Sequence, residues 1–144
     1  ISEEYAGVDY EEFIVDDMAH RLVVRPQDID VLLLPNLYGD ILSDLGAGTI
    51  GGLGLAPSGC YGHEFAYFES AHGTAPDLVG KGTINPTATL LSAAMMLRHL
   101  HLKDAADRLE RALEHVYLSN SDLTPDQGGE AGTERFADAV IGAL

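Results

Sequence analysis

The sequence predicts an α/β fold. Short apolar segments alternate along the 144 residues with longer segments of helical periodicity, and such alternation is typical of α/β proteins. Hydrophobic residues make up 46% of the chain, which is ordinary for a globular protein and too high for a disordered one. A chain of this length can bury roughly 70% of its unfolded surface, so a core is possible.

The first part of the chain predicts two helices with a strand between them. Residues 10–24 carry an apolar side chain at every fourth position from Ile14, and Pro26 ends this helix. Residues 31–34 (VLLL) form a short apolar run that predicts a buried strand of the parallel type. A second helix is predicted to begin at Gly39. Residues 46–62 contain seven glycines, which predict irregular backbone or a close-packed crossing.

The rest of the chain predicts one strand and three helices. Residues 65–70 read as the strand and residues 72–85 as a long loop. A helix begins at Asn85 and Pro86 and is apolar on nearly all sides, so we expect it to be central. The next helix, residues 103–118, is amphipathic, and its inward positions are Ala105, Leu109, Ala112, Leu113 and Val116. Thr133 is the expected cap of a last helix, whose apolar positions are Phe136, Val140, Ile141 and Leu144.

Composition excludes several classes of function. Eight Lys and Arg against 23 Asp and Glu give a formal charge of −15, so no basic patch is available for nucleic acid or for anionic lipid. The chain contains no apolar run of membrane-spanning length and does not open with a signal peptide, and we expect a soluble, cytoplasmic protein. The single cysteine, Cys60, excludes an intramolecular disulfide and a multi-cysteine zinc site.

Residues 46–51 (GAGTIG) match the dinucleotide-binding pattern G-x-G-x-x-G but lack its context. That pattern must follow a strand and open a helix, so that phosphate meets the helix amides. Here it follows a helical segment and precedes a glycine-rich one. We therefore expect these glycines to serve close packing.

Asp40 and Asp44 are spaced i, i+4, so they share one face of the second helix. No Lys or Arg lies four residues from either, and like charges at this spacing repel. A divalent cation would reverse the sign of that interaction, and oxygen-only ligands suit Mg²⁺ or Mn²⁺. The alternative is a solvated acidic face in which Gly39 and Asp40 act as a helix start, and spacing alone favours this alternative because helix starts often carry Asp.

The loop HGTAPD, residues 72–77, continues through two glycines to Asn85. Glycine allows close approach of backbone amides to a ligand, and a helix N-terminus at the end of the loop attracts anions. An ordinary surface loop explains the same residues, and the two readings stay open at this point.

Several longer segments together resemble the β-decarboxylating dehydrogenases, the family of isocitrate, 3-isopropylmalate, homoisocitrate and tartrate dehydrogenases. The segments are NLYGDILSD (36–44), GGLGLAPSG (51–59), ESAHGTAPDLVGKGTINPTA (69–88), LSAAMMLRHL (91–100) and LTPDQGGEAGT (123–133). The resemblance covers essentially the whole chain in order. It implies the C-terminal portion of the three-layer isocitrate/isopropylmalate dehydrogenase-like fold.

The resemblance implies a metal site. In the family, the segment matching residues 36–44 supplies two aspartates to Mg²⁺ or Mn²⁺, and they correspond to Asp40 and Asp44. A third aspartate, which corresponds to Asp16, reaches the metal site of the partner protomer, and Asp17 is its near neighbour. The resemblance therefore implies a homodimer or higher oligomer in which Asp16 acts across the interface.

The resemblance also implies NAD as cofactor. Asp77 falls where NAD-dependent members carry an acid for the adenosine ribose hydroxyls, and NADP-dependent members carry Lys followed by Tyr. A carboxylate beside a 2′-phosphate would be repulsive, and Leu78 follows Asp77 here. Glu69 matches an acid on the nicotinamide side, and His72 and Asn85 match adenine contacts. The implied cofactor-binding residues are Glu69, His72, Gly73, Thr74, Ala75, Pro76, Asp77 and Asn85.

The implied reaction is oxidation of a 2-hydroxy acid, followed by loss of its β-carboxylate. Residues 36–58 and 95–100 most resemble NAD-dependent isocitrate dehydrogenases, so isocitrate is favoured over 3-isopropylmalate and homoisocitrate. The family's catalytic Tyr and Lys and its substrate arginines have no counterpart here. We therefore expect no catalytic acid or base within this chain. The alternatives are an inactive fragment and a non-catalytic regulatory subunit.

By resemblance, residues 1–50 end the small, dimer-forming domain and carry the metal-binding aspartates. Residues 51–144 complete the large domain with its NAD-binding loop. We expect the chain to be the C-terminal half of a longer enzyme.

Overall fold

The computed structural model describes residues 4–144, and the chain divides into two compact units with the boundary between Thr49 and Ile50. The first unit holds two helices, α1 (Val15–Val24) and α2 (Asn36–Thr49). The second holds strands β1 (Pro57–Tyr61) and β2 (Ala66–Ser70), then helices α3 (Thr87–His99), α4 (Lys103–Ser119) and α5 (Thr133–Ala143). Within residues 4–144, no helix is both long and apolar enough to cross a membrane.

In the first unit, α1 and α2 pack against each other. Met18 on α1, and Leu42 and Ala47 on α2, are buried. A Cβ built on Gly46 would lie 3.8 Å from Leu22 Cδ2, so the glycine allows α2 to pass close to α1. Residues 46–49 form the last turn of α2 rather than a strand-to-helix turn, which confirms that GAGTIG is not a dinucleotide-binding fingerprint.

Three predictions in this unit are wrong. Residues 31–34 are not a strand, and Val31 and Leu33 are 84% and 88% exposed. A strand is defined by its hydrogen-bonded neighbour, and among the described residues only β1 and β2 pair. Helix α2 begins at Asn36, three residues before Gly39. The Gly39 backbone N–H donates to the Pro35 carbonyl oxygen at 2.9 Å, so Gly39 already lies within the first turn. Helix α1 begins at Val15 rather than residue 10 and ends at Val24, as Pro26 requires.

In the second unit, β1 and β2 form an antiparallel hairpin in which Ser58 pairs with Glu69. The prediction of β2 is confirmed to within one residue, while β1 was missed inside the glycine-rich segment. Glycine and proline are rare in strand interiors, so the local sequence PSGCY does not predict a strand. The structure explains why position 59 is glycine, since a Cβ there would lie 3.0 Å from the ring of Phe68 on the paired strand.

Helix α3 is central, as predicted, since it packs against α4 and both strands. The core between the last two helices is formed by Ala112, Leu113, Val116, Leu123, Phe136 and Val140. Ala105 is exposed and Ala106 is buried instead, because Ala106 lies seven residues before Leu113 and so shares its helix face. Ile141 and Leu144 are exposed, contrary to the apolar face predicted for α5.

Candidate metal and cofactor sites

Asp40 and Asp44 lie one turn apart on α2, and both are exposed. Within residues 4–144, no Lys, Arg or His nitrogen lies within 4 Å of either carboxylate. The ion pairs of the described residues use other acids. The two carboxylates therefore repel each other without a protein counter-ion, which is the arrangement that a divalent cation would stabilise.

On α1, Asp16 and Asp17 have different hydrogen-bond partners. Asp17 Oδ2 accepts a hydrogen bond of 2.7 Å from Arg21 Nε, four residues later on the same helix. Asp16 Oδ1 accepts only the neighbouring Asp17 backbone N–H, at 2.9 Å, among the hydrogen bonds of the described residues. Of these two acids, Asp16 is the one without a cationic partner there, and its role as a metal ligand remains a prediction.

Within the described part of the chain, no group of three or more His, Cys, Asp or Glu side chains is placed to hold one ion. The chain therefore brings Asp40 and Asp44 together but does not add Asp16 to them. This is the arrangement expected if a third ligand comes from another protomer, and that contribution remains a prediction.

The loop after β2 has a defined backbone. Ala75 adopts a left-handed conformation (φ +42°, ψ +62°), and Pro76–Leu78 form a single 3₁₀ turn. Left-handed backbone is costly for a residue with a Cβ, and such positions cluster in ligand-binding loops. Gly80 and Gly82 also have positive φ, of 77° and 62°, where glycine carries no such cost.

The end of this loop forms one wall of an open groove of about 570 Å³ in the second unit. Its other walls come from the starts of α3 and α5. The residues that line it are His72, Leu78, Val79, Gly80, Gly82, Ile84, Asn85, Pro86, Thr89, Thr133 and Glu134. Neither Lys nor Arg contributes to this lining, and Glu134 is its one acid.

The predicted cofactor residues lie in three places. His72 and Asn85 line the groove, and the Nδ1 atom of His72 lies 2.9 Å from the Gly73 carbonyl oxygen. Residues 73–77 are exposed on the loop, and Asp77 directly precedes the groove residue Leu78. Glu69 is exposed on β2, outside the groove lining.

The backbone of Glu69 is tied to α3 by Ser92. The Ser92 hydroxyl lies 2.6 Å from the Glu69 carbonyl oxygen and 2.8 Å from that of Ala88. Ser92 Oγ also accepts the Ser58 backbone N–H at 3.2 Å. This buried serine therefore holds the β1–β2 hairpin against α3 at the paired residues Ser58 and Glu69.

The side chain of Asn85 is fully used inside the protein. Asn85 is 4% exposed, and its Oδ1 accepts the Thr87 backbone N–H at 3.0 Å, which caps the start of α3. Its Nδ2 donates to Tyr117 Oη at 3.1 Å and to Asp126 Oδ2 at 3.0 Å. The amide therefore has no hydrogen left for a ligand, and Asn85 shapes the groove by fixing the loop.

Asp126 was missed as a member of this site by the sequence analysis. Its Oδ2 also accepts Gln127 Nε2 at 3.1 Å, and its Oδ1 accepts the Thr124 hydroxyl at 2.5 Å. Partial burial acts to raise the pKa of Asp126, but the hydrogen bonds from Thr124, Asn85 and Gln127 hold this pKa below its ordinary value. The turn motif LTPDQGG (123–129) was the available signal, although a turn alone does not reveal its distant partners.

Thr133 does not cap α5, contrary to the prediction. Its hydroxyl donates to the Ile84 carbonyl oxygen at 2.5 Å, and its backbone N–H donates to the Gly82 carbonyl oxygen at 2.7 Å. Gly132, the residue before it, cannot carry a side chain without a shift, since a Cβ would lie 2.8 Å from the same Gly82 oxygen. The start of α5 therefore fastens the end of the loop instead.

The fold agrees with the comparison to known proteins. Residues 1–140 match the family model described as isocitrate/isopropylmalate dehydrogenase, and the chain belongs to that family. A crystal structure of isocitrate dehydrogenase from Methylococcus capsulatus superposes with a TM-score of 0.95 at 44% identity. That match covers 99% of this chain and 43% of the solved one, so the chain corresponds to a C-terminal portion of the family's fold.

Three curated relatives illustrate the range of the family. Isocitrate/homoisocitrate dehydrogenase of Thermus thermophilus is 53% identical, over 100% of this chain and 43% of the relative. The mitochondrial alpha subunit of human NAD isocitrate dehydrogenase is 48% identical, over 97% and 38%. One of the regulatory subunits of mitochondrial NAD isocitrate dehydrogenase in Dictyostelium discoideum is 46% identical, over 98% and 40%. The chain thus spans less than half the length of each.

Proposed function

We propose that this chain serves a metal-dependent β-decarboxylating dehydrogenase that oxidises a 2-hydroxy acid and transfers the hydride to NAD. The observation that carries this proposal is the exposed, unpaired pair Asp40 and Asp44 on α2, among residues 4–144 of a chain that belongs to this family. An acidic face that served solubility alone would not require two acids one turn apart without a counter-ion.

The donor set fits a hard divalent cation. Asp40 and Asp44 offer carboxylate oxygens, which Mg²⁺ and Mn²⁺ prefer, and both are open to solvent and to a substrate. Asp16 of a second protomer would complete the protein's share of the ligands, which makes a homodimer part of the proposal. A bound ion would supply Lewis-acid stabilisation of negative charge on the substrate oxygens.

The groove fits the adenosine part of NAD better than that of NADP. Its lining holds no Lys or Arg to pair with a 2′-phosphate, and it includes the acid Glu134. Asp77 is exposed on the adjoining 3₁₀ turn, where its carboxylate is free to accept hydrogen bonds from ribose hydroxyls. NAD would supply the hydride acceptor. Residues 4–144 hold the groove, while we expect the proton-transfer groups to lie outside this chain.

Isocitrate is the proposed substrate, with 3-isopropylmalate and homoisocitrate as alternatives. The Thermus and human relatives carry isocitrate in their names, and the Thermus name also includes homoisocitrate. The residues that sort these substrates are expected outside residues 1–144, so this chain supports the reaction class more strongly than the substrate.

A regulatory, non-catalytic subunit is the second candidate. It is favoured by the 46% identity to a relative named as a regulatory subunit. The intact Asp40 and Asp44 argue against it, since a protein without catalysis has no need to keep a metal-binding pair.

One assay separates these candidates. The complete protein that contains this chain is incubated with MnCl₂, NAD or NADP, and each of the three 2-hydroxy acids in turn, while NADH or NADPH formation is followed by absorbance. We expect NADH formation with isocitrate. Turnover only on addition of a second subunit would favour the regulatory role, and no turnover with any of the three acids would contradict the proposed reaction.

A further inference from the structure

The loop of residues 72–85 is held by different kinds of hydrogen bond along its length. Among the described residues, the hydrogen bonds of residues 73–81 are local, such as Leu78 N–H to Ala75 O and Lys81 N–H to Leu78 O. The next residues are held from outside the loop, at Gly82 and Ile84 by Thr133, and at Asn85 by Asp126 and Tyr117. The position of the groove wall therefore depends on these hydrogen bonds to residues that are distant in the sequence.

Asp126 is the centre of the hydrogen-bond cluster that holds Asn85. Its carboxylate accepts three hydrogen bonds, from Thr124, Asn85 and Gln127. Gln127 Nε2 also donates to the Gly51 carbonyl oxygen at 3.1 Å, so the same cluster holds the glycine-rich segment before β1. A carboxylate is the side chain that can accept all three donors at once, and charge-assisted hydrogen bonds are about twice as strong as neutral ones.

The cluster reaches the groove through Asn85. The amide of Asn85 is oriented by Asp126 and Tyr117 on one side and caps α3 through Thr87 N–H on the other. Gly54 allows this approach, because a Cβ there would lie 3.3 Å from Asp126 Oδ2 and 3.4 Å from Asn85 Cβ. Asp126 itself is not part of the groove lining.

We infer that Asp126 is a positioning residue for the cofactor site, which sets the groove wall at Asn85 and thereby the affinity for the adenosine part of NAD. This inference rests on the proposed function. Asp126 lies outside the groove lining, so its loss should weaken cofactor binding only through Asn85 and leave substrate and metal binding unchanged.

The test compares three variants of the complete protein that contains this chain. Asp126→Asn keeps the shape but places an amide N–H₂ against donors. Tyr117→Phe keeps the ring that packs on Phe136 and removes the hydroxyl that receives the Asn85 amide. Asp122→Asn is the matched control, an acid four residues from Asp126 that pairs with Arg135 at 2.6 Å instead.

Three properties are measured for each variant: the Kd for NAD by titration calorimetry, the KM for NAD and for the 2-hydroxy acid together with kcat, and the thermal midpoint. For Asp126→Asn we expect the Kd and KM for NAD to rise about tenfold, the effect of losing one charge-assisted hydrogen bond. For Tyr117→Phe we expect a rise of about threefold. The Asp122→Asn control should keep the wild-type Kd, and kcat and the KM for the acid should stay unchanged in all three.

Two results overturn the inference alone: an unchanged Kd for NAD in Asp126→Asn, or a parallel change in kcat and both KM values, which a general structural weakening would produce. If Asp126→Asn does not fold, the test rests on Tyr117→Phe. A wild-type Kd for NAD in that variant would then overturn the inference. A wild-type protein that does not bind NAD refutes the proposed function, and this inference fails with it.

Discussion

The metal-binding assignment predicts that the effect of Asp40→Asn on the free energy of unfolding changes sign when a metal is bound. Without metal, Asp40→Asn should stabilise the protein, because it removes a like-charge repulsion with Asp44 worth about 0.2–0.5 kcal/mol. No counter-ion among residues 4–144 is lost. Asp40 is the fifth residue of α2, beyond the first turn, so the helix dipole offers little compensation.

With metal bound, the wild type should become more stable than the Asp40→Asn variant. At a free Mn²⁺ concentration of one hundred times Kd, binding to the folded state adds about 2.7 kcal/mol to the free energy of unfolding. Asparagine is a neutral and weaker ligand, so the Asp40→Asn variant should lose most of this increment. The variant should therefore be more stable than wild type by a few tenths of a kcal/mol in chelator, and less stable by about 2 kcal/mol in saturating Mn²⁺.

The assay is thermal unfolding of the complete protein in chelator and across a MnCl₂ series. Asp44→Asn should behave as Asp40→Asn does. Asp17→Asn is the control, since it removes the ion pair with Arg21, worth about 0.3–0.5 kcal/mol, and should respond to Mn²⁺ as wild type does. If Asp40→Asn unfolds earlier in chelator, or keeps the full response to Mn²⁺, the assignment of this pair to a metal is wrong.

Three further predictions follow from the other parts of the structure. Asp77→Lys with Leu78→Tyr should move the ratio of kcat/KM values from NAD toward NADP, and a wild type that prefers NADP would contradict the interpretation of this loop. Gly129→Ala should cost about 3 kcal/mol or more in urea unfolding, since its Cβ would lie 1.9 Å from the Leu123 carbonyl oxygen, whereas Gly128→Ala, with only its φ of 78° to strain, should cost about 1 kcal/mol. The 144-residue chain alone should form no NADH from isocitrate, NAD and Mn²⁺, and turnover by it would show that an acid or base within these residues has been overlooked.

The helices were predictable from the sequence where an element is defined by its own periodicity. The apolar face of α4 and the proline that follows α1 are local signals, and they gave the right elements with small errors in phase and length. Strand β1 and residues 31–34 were not predictable in this way. A strand depends on a neighbour that the local sequence does not name. For this reason β1, which lies in a glycine-rich segment, was missed, and an unpaired apolar run was predicted as a strand.

The same distinction applies to the sites. The pair Asp40 and Asp44 could be predicted because i, i+4 spacing on a helix fixes a shared face. The tie between Asn85 and Asp126 joins residues 41 positions apart, and Thr133 reaches back 49 positions to Ile84. Such contacts are decided by tertiary packing. The sequence could therefore name Asn85 as a site residue but not show that its side chain serves the loop.

The metal pair belongs to the first compact unit and the Asp126 cluster to the second, and Asp126 has its hydrogen-bond partners Thr124, Asn85 and Gln127 in that second unit. Substitutions without shared partners usually act additively within about 0.5 kcal/mol. We therefore expect that, without substrate, Asp40→Asn combined with Asp126→Asn has the NAD affinity of Asp126→Asn alone and the Mn²⁺ affinity of Asp40→Asn alone. A double-mutant cycle by calorimetry measures both. A coupling well above this limit would mean that the cofactor groove and the metal pair communicate in the free protein, so that neither substitution could then be interpreted as a local loss.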